Sequence, residues 1–299
     1  MFSFTRFFTL ISAVLFGSAP CVVAAEGHDH LPASAEVLFE LGWFKFTNST
    51  LMMLIVAFFL IVVAQLATKK ITLVPSRLQN TVEWILESLI NFMSGVLGES
   101  LAKRTFWFFG TLFIMILFSN WMGLIPGVGT IGFSNVTPDG NPYPGDTFTP
   151  LLRGANADLN MTSAMAIAFA LLWFYWAITE TSVKEFFAHI FAPKGKFQGV
   201  MLVGMIVVFL FVGLIEVASI AFRPVALMFR LYGNVYAGEN MLESIMNIVP
   251  IDALKWLAAL PFYFLELLVG LIQALVFTLL CAVFLRLICE HEHDDEHAH

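Results

Sequence analysis

Charge is what this 299-residue chain has least of. Asp, Glu, Lys and Arg together make up 12% of it, about half the share usual in soluble domains. Hydrophobic residues make up 59%, and the mean hydropathy is +0.84. A water-soluble globule of this size cannot hide that much apolar surface, which excludes a soluble enzyme. Basic residues are scarcer than acidic ones, 15 against 22, for a net charge of −7. That balance excludes a nucleic-acid-binding chain, and the hydrophobicity excludes a disordered one. Cysteine is nearly absent too, with three residues. Cys281 and Cys289 fall two turns apart on one expected helix, too far for a disulfide, so no redox or zinc framework is expected. A phosphate-binding P-loop is missing. Gly127-Val-Gly-Thr-Ile-Gly132 formally fits a dinucleotide fingerprint, but it follows an apolar span and enters a Pro-rich loop rather than a βαβ unit. No cofactor, metal or nucleotide site is therefore expected. The class that remains is a polytopic membrane protein.

The ends are set apart by composition. Residues 1–25 have the form of a cleaved export signal: Arg6, an apolar core, then Val23-Ala24-Ala25 before Glu26. Six of the seven histidines lie near the ends: His28, His30, His291, His293, His297 and His299. No fixed geometry holds ligands in the acidic, His-rich segment 289–299, so it reads as a solvated tail.

Between the ends, a single all-α membrane domain is expected over 26–299, with about five crossings and one interfacial helix. Residues 49–67 give the first span. Residues 78–101 are amphipathic, with Val82, Ile85, Leu86, Leu89, Ile90, Met93 and Leu97 at helical spacing and Glu83 and Glu87 interleaved; they predict a helix at the interface. The second span is 106–125. Residues 126–157 are rich in Gly and Pro and predict a loop in which only Arg153 is basic. The third span is about 159–183. Basic residues cluster at Lys69, Lys70, Arg77, Lys103 and Arg104, and again at Lys184, Lys194 and Lys196. Basic segments mark the cytoplasmic side. The mature N-terminal segment 26–48 and the 126–157 loop are then exterior, and the C-terminus is cytoplasmic. A bacterial inner membrane fits the export signal.

The last third is long. As helix, residues 197–249 would span roughly 80 Å and residues 254–288 roughly 50 Å, against about 30 Å of hydrocarbon. A strongly tilted hairpin over 197–288, kinked at Pro224, accommodates both. Inside it lie Glu216, Arg223, Arg230, Glu239, Glu243 and Glu266, with Gln273. An ionisable group at mid-membrane costs about 2.5–3.5 kcal/mol even on the lenient scale, so such groups mark an ion pathway by default. Glu216, Arg223 and Arg230 are spaced by seven and share a face within about 40°; Asn234 continues it, while Glu239 points the other way. Glu266 and Gln273 share a face of the second helix. Glu216 can pair with Arg223 as a structural bridge. Arg230 has no acid within one turn, so its partner is expected elsewhere in the fold or in another chain.

Here the sequence resembles a known family. Phe229-Arg-Leu-Tyr-Gly-Asn-Val-Tyr-Ala-Gly-Glu239 and Leu267-Leu-Val-Gly-Leu-Ile-Gln-Ala-Leu-Val-Phe277 resemble the hallmark segments of subunit a of the F-type ATP synthase. Ser119-Asn-Trp-Met-Gly-Leu-Ile-Pro126, Ala157-Asp-Leu-Asn160 and Arg223-Pro-Val-Ala-Leu227 support the match, in the family's order, over roughly residues 45–288. The resemblance implies a non-catalytic stator subunit with two half-channels. These pass protons to and from a ring of rotor subunits c, beside a peripheral-stalk subunit b and under a catalytic head that holds the nucleotide chemistry. By the same resemblance Arg230 matches the essential arginine facing a rotor carboxylate. Asn234, Glu239, Glu266 and Gln273 match the exterior half-channel, Glu216 a cytoplasmic half-channel position, and Asn120, Asp158 and Asn160 positions that line or support the exterior path. Many members carry a histidine with a carboxylate at the places of Glu239 and Glu266; here both are acids. Two neighbouring carboxylates do not readily ionise together, so the pair shares a proton or holds a cation. The rival reading is a self-contained transporter or channel, but the inverted internal repeats that would favour it are not seen.

Overall fold

The structure, a computed structural model, describes residues 21–23, 35–42, 44–69, 71–72, 75–125, 127–133, 149–180 and 200–289. The His-rich tail after residue 289, His28, His30, Lys70 and the basic segment 184–196 lie outside these residues, as does the expected signal segment except for Cys21–Val23.

Among the described residues six α-helices carry the fold, and five of them are long and apolar enough to cross a membrane. Helix α1, Asn48–Thr68, is apolar on all sides and starts where Thr47 Oγ1 accepts the Thr50 N–H at 3.2 Å, satisfying one of the orphan donors of the first turn. Helix α2, Arg77–Leu97, is the amphipathic one: Leu89, Met93 and Leu97 are buried at a spacing of four, while Glu83 and Glu87 are exposed. It is capped by Ser76. The expected boundary at residue 101 moves to 97, because Gly98 breaks the helix at φ +80°. A β-carbon is disfavoured at that φ. Residues 99–101 instead begin helix α3, Glu99–Gly123, so the interfacial helix and the second span meet at one glycine.

Helix α4 is Leu159–Glu180. Helices α5, Val200–Ile248, and α6, Asp252–Cys289, have 49 and 38 residues. At 1.5 Å per residue these are roughly 74 and 57 Å long, well over the hydrocarbon thickness, so neither can stand upright within it. Helix α5 runs unbroken past Pro224, and α6 past Pro261.

The core is built around α6, which packs against both α3 and α5, with α2 against α3 and α4 against α5: Phe109, Ile116, Phe169, Leu231 and Phe277 are fully buried or nearly so. Side-chain bonds to backbone carbonyls staple it. Trp173 Nε1 donates to Phe284 O at 3.1 Å, Trp121 Nε1 to Leu267 O at 3.0 Å, and Arg286 Nη1 to Val96 O at 2.7 Å. Cys281 is a buried free thiol.

Two small β features were not expected. Strands Val37–Leu41 and Phe44–Thr47 pair as an antiparallel hairpin turning at Gly42, with the Phe39 and Phe46 rings stacked at 4.5 Å. Cys21–Val23, Ile131–Phe133 and Thr149–Pro150 form a three-stranded sheet. The 126–157 loop is therefore not featureless. Its last part turns inward: Arg153, Gly154, Ala155, Asn156, Ala157 and Asp158 are all buried, and Ala155–Ala157 make a 3-10 turn.

Candidate functional site

The polar residues of α5 and α6 meet in pairs. Asn234 Nδ2 donates to Gln273 Oε1 at 2.7 Å. Gln273 is 4% exposed, so this bond joins two amides at the seam of the two longest spans. The acids lie further along, Glu239 five residues on from Asn234 and Glu266 two turns before Gln273. Glu266, 5% exposed, rests its carboxylate against the backbone of Gly238: a β-carbon built there would collide with Oε1, Cδ and Oε2. Glycine at 238 thus lets the Glu266 head lie directly on α5, beside Glu239. Glu239 itself reaches the other way, as its angular position predicts. Its Oε1 occupies the space a β-carbon on Gly154 would fill, and it lies 3.7 Å from the place of one on Gly123. The end of α3 and the re-entering loop together cradle that carboxylate. Glu239 lies within electrostatic reach of Arg153, Glu266 and Glu243.

A buried amide chain supports this region. Asn156 Nδ2 donates to Asn120 Oδ1 at 2.7 Å, and Asn120 Nδ2 donates to Gly270 O at 3.0 Å. Gly270 packs under Asn120, whose Cβ is 3.1 Å from where a β-carbon would be. The loop, α3 and α6 are tied together one turn from Gln273. Asp158 is buried; its Oδ1 accepts the Asn160 N–H at 3.1 Å, capping α4, and its charge acts on Tyr232 of α5. The Asn160 residue is exposed.

Two expected residues stand apart from that cluster. Glu216 Oε1 is 3.6 Å from Arg223 Nη2, and the Arg223 guanidinium sits 4.8 Å over the Phe284 ring. This is the structural bridge open to them in the sequence, and it links α5 to α6. Arg230 is exposed on α5, and among the described residues it has neither a hydrogen bond nor an ion pair. Phe222, Val225 and Phe229 beside it are exposed as well.

The model of the ATP synthase A chain family matches residues 48–286. The chain belongs to that family. It is similar to the ATP synthase subunit a of Campylobacter concisus (strain 13826), 28% identical over 243 residues, covering 80% of this chain and 89% of the relative. It is likewise 28% identical to that of Gloeobacter violaceus (strain ATCC 29082 / PCC 7421) over 287 residues, 96% of this chain and 99% of the relative. With Anaeromyxobacter sp. (strain Fw109-5) the identity is 29% over 84% of this chain and 56% of the relative. Family membership and the five apolar spans among the described residues make the chain a multi-pass membrane protein.

Several residues of the site escaped the sequence reading. Arg153 stood out only as the lone base of a loop; Gly154 and Asn156 lay in no motif, and Gly123 and Gly238 lay inside matching segments without being singled out. The available signal was a basic residue next to glycine in an otherwise neutral stretch, followed by a second amide.

Proposed function

We propose that the chain is the ion-translocating stator subunit of an F-type ATP synthase. Two half-channels pass protons to and from rotor-ring carboxylates and so couple ion flow to rotation and ATP synthesis. The carrying observation is Arg230: an exposed guanidinium on a membrane-spanning helix with no partner among the described residues. Such a charge is costly in lipid, so a mobile carboxylate of another chain is the natural partner, and the exposed Phe222, Val225 and Phe229 offer an apolar face for the helix that bears it.

The chemistry suits these side chains. A guanidinium stays protonated in proteins, so Arg230 favours the ionised form of each arriving rotor carboxylate without itself leaking protons between the half-channels. Glu239 and Glu266 gain and lose protons on the exterior side. Asn234 and Gln273 each donate and accept, which suits a water-lined path; Asn120, Asp158 and Asn160 support it. Glu216 belongs to the cytoplasmic side. The partners are the ring of subunits c, the peripheral-stalk subunit b, the catalytic head and the lipid bilayer. The setting is a bacterial inner membrane, with the N-terminus outside after cleavage of residues 1–25 and the C-terminus in the cytoplasm.

Purification of the tagged chain from its native membrane tests this reading. The expected result is co-purification with a small, very apolar protein and a peripheral nucleotide-hydrolysing head. An isolated chain that transports ions by itself after reconstitution would overturn it.

A further inference from the structure

Arg153 is 4% exposed, an unusual place for a guanidinium unless a charge or carbonyl answers it. Its Nη2 donates to Ala157 O at 3.3 Å across the 3-10 turn. The next residue, Gly154, is where the Glu239 Oε1 occupies the missing β-carbon's space, and Gly123 closes the other side. Arg153 and Glu239 are within electrostatic reach of each other. Among the described residues, the other charges acting on Glu239 are Glu266 from α6 and Glu243 from its own helix, so Arg153 is the cation in an otherwise acidic group. Three separate segments thus converge on one carboxylate: the end of α3, the re-entering loop and α5.

We propose that Arg153 is the positioning residue for Glu239: its charge and the Gly123/Gly154 cradle hold that carboxylate at one place on the exterior half of the path. Glu239 lies near two further acids, whose repulsion would otherwise drive its carboxylate away from the seam. A guanidinium suits the task because it cannot give up its proton to the path it borders. Arg153 acts through Glu239 and does not itself carry the ion. The inference rests on Glu239 belonging to the ion path.

The test is a double-variant cycle in the assembled complex, read as ATP-driven acidification of inverted vesicles per assembled complex. Arg153→Gln is expected to slow pumping by about fivefold or more, the scale of coupling between contacting groups. The same change made on Glu239→Gln should cost nothing further, because the carboxylate it positions is gone. Arg153→Lys, which keeps the charge, should recover most of the rate. A purely structural clamp on Ala157 O predicts instead that Arg153→Gln costs the same in both backgrounds, and that additive result would overturn the proposal. If Arg153→Gln does not assemble, Arg153→Gln with Glu239→Gln should restore assembly by removing the uncompensated charge; failure to restore it would overturn the proposal equally. Unchanged pumping by Glu239→Gln alone would point to a different fault, namely that Glu239 is not on the path.

Discussion

Replacing Gly238 by Ala is the most informative single change, because its effects on stability and on ion flow differ in size. A β-carbon at 238 would run into the Glu266 carboxylate, so that carboxylate must move by roughly 1 Å or more to reach ordinary van der Waals separation. Overpacking of this kind costs about 1–3 kcal/mol, while Ala in place of Gly inside a helix returns about 1 kcal/mol. The net loss is about 0–2 kcal/mol, small enough for the complex to assemble. Proton relay is far less tolerant: a misplacement of about 1 Å in a reacting group can cost on the order of a hundredfold in rate. Gly238→Ala should therefore leave assembled complex in the membrane while slowing ATP-driven acidification of inverted vesicles by about tenfold to a hundredfold. Gly204 lies on the same helix with nothing within 4 Å of a built β-carbon, so Gly204→Ala is the control and should be silent. Glu266→Asp added to Gly238→Ala withdraws the carboxylate by one methylene and should regain part of the rate. Full-rate pumping by assembled Gly238→Ala would refute the argument that the place of the Glu266 head matters.

Other expectations follow from the same geometry. Glu266→Gln keeps the shape of the side chain but cannot exchange a proton, so turnover should fall while the amount of complex, read on a native gel, stays unchanged. Asn120→Ala removes the donor to Gly270 O and the acceptor of Asn156; leaving buried groups unsatisfied costs about 1–3 kcal/mol, which a lower thermal denaturation midpoint of the purified complex would report. Phe284→Ala takes away the ring under Arg223 together with its packing; as Phe284 is partly buried, the loss should fall below the about 3–5 kcal/mol of a fully buried Phe, and an unshifted midpoint would show that the bridge between α5 and α6 contributes little.

The spans were legible in the sequence because hydropathy over about 20 residues is set by bilayer thickness alone. The interfacial helix was legible because Leu89, Met93 and Leu97 repeat at one helical face. The Glu216–Arg223 pair followed from a spacing of seven. The seam between Asn234 and Gln273 could be anticipated only as two polar stripes, since nothing local sets the register of one long helix against another. The inward turn of residues 153–158 was not legible. Gly and Pro announced a loop, but a loop's burial depends on what its backbone meets, and here that is Glu239 in the space beside Gly154 and Asn120 beneath Asn156. The boundary at Gly98 was missed for a related reason. Apolar periodicity carries straight on through Leu101, and only the positive φ of one glycine ends the helix.

On the proposed function, Arg230 faces a carboxylate of another chain and favours its ionised form. ATP-driven acidification of inverted vesicles carrying Arg230→Ala tests it most directly, with Arg230→Lys alongside, because an ammonium can release its proton where a guanidinium cannot. The expected result is an assembled complex that pumps no protons with Ala and pumps defectively with Lys. Acidification at the unmodified rate by the Ala variant would contradict it.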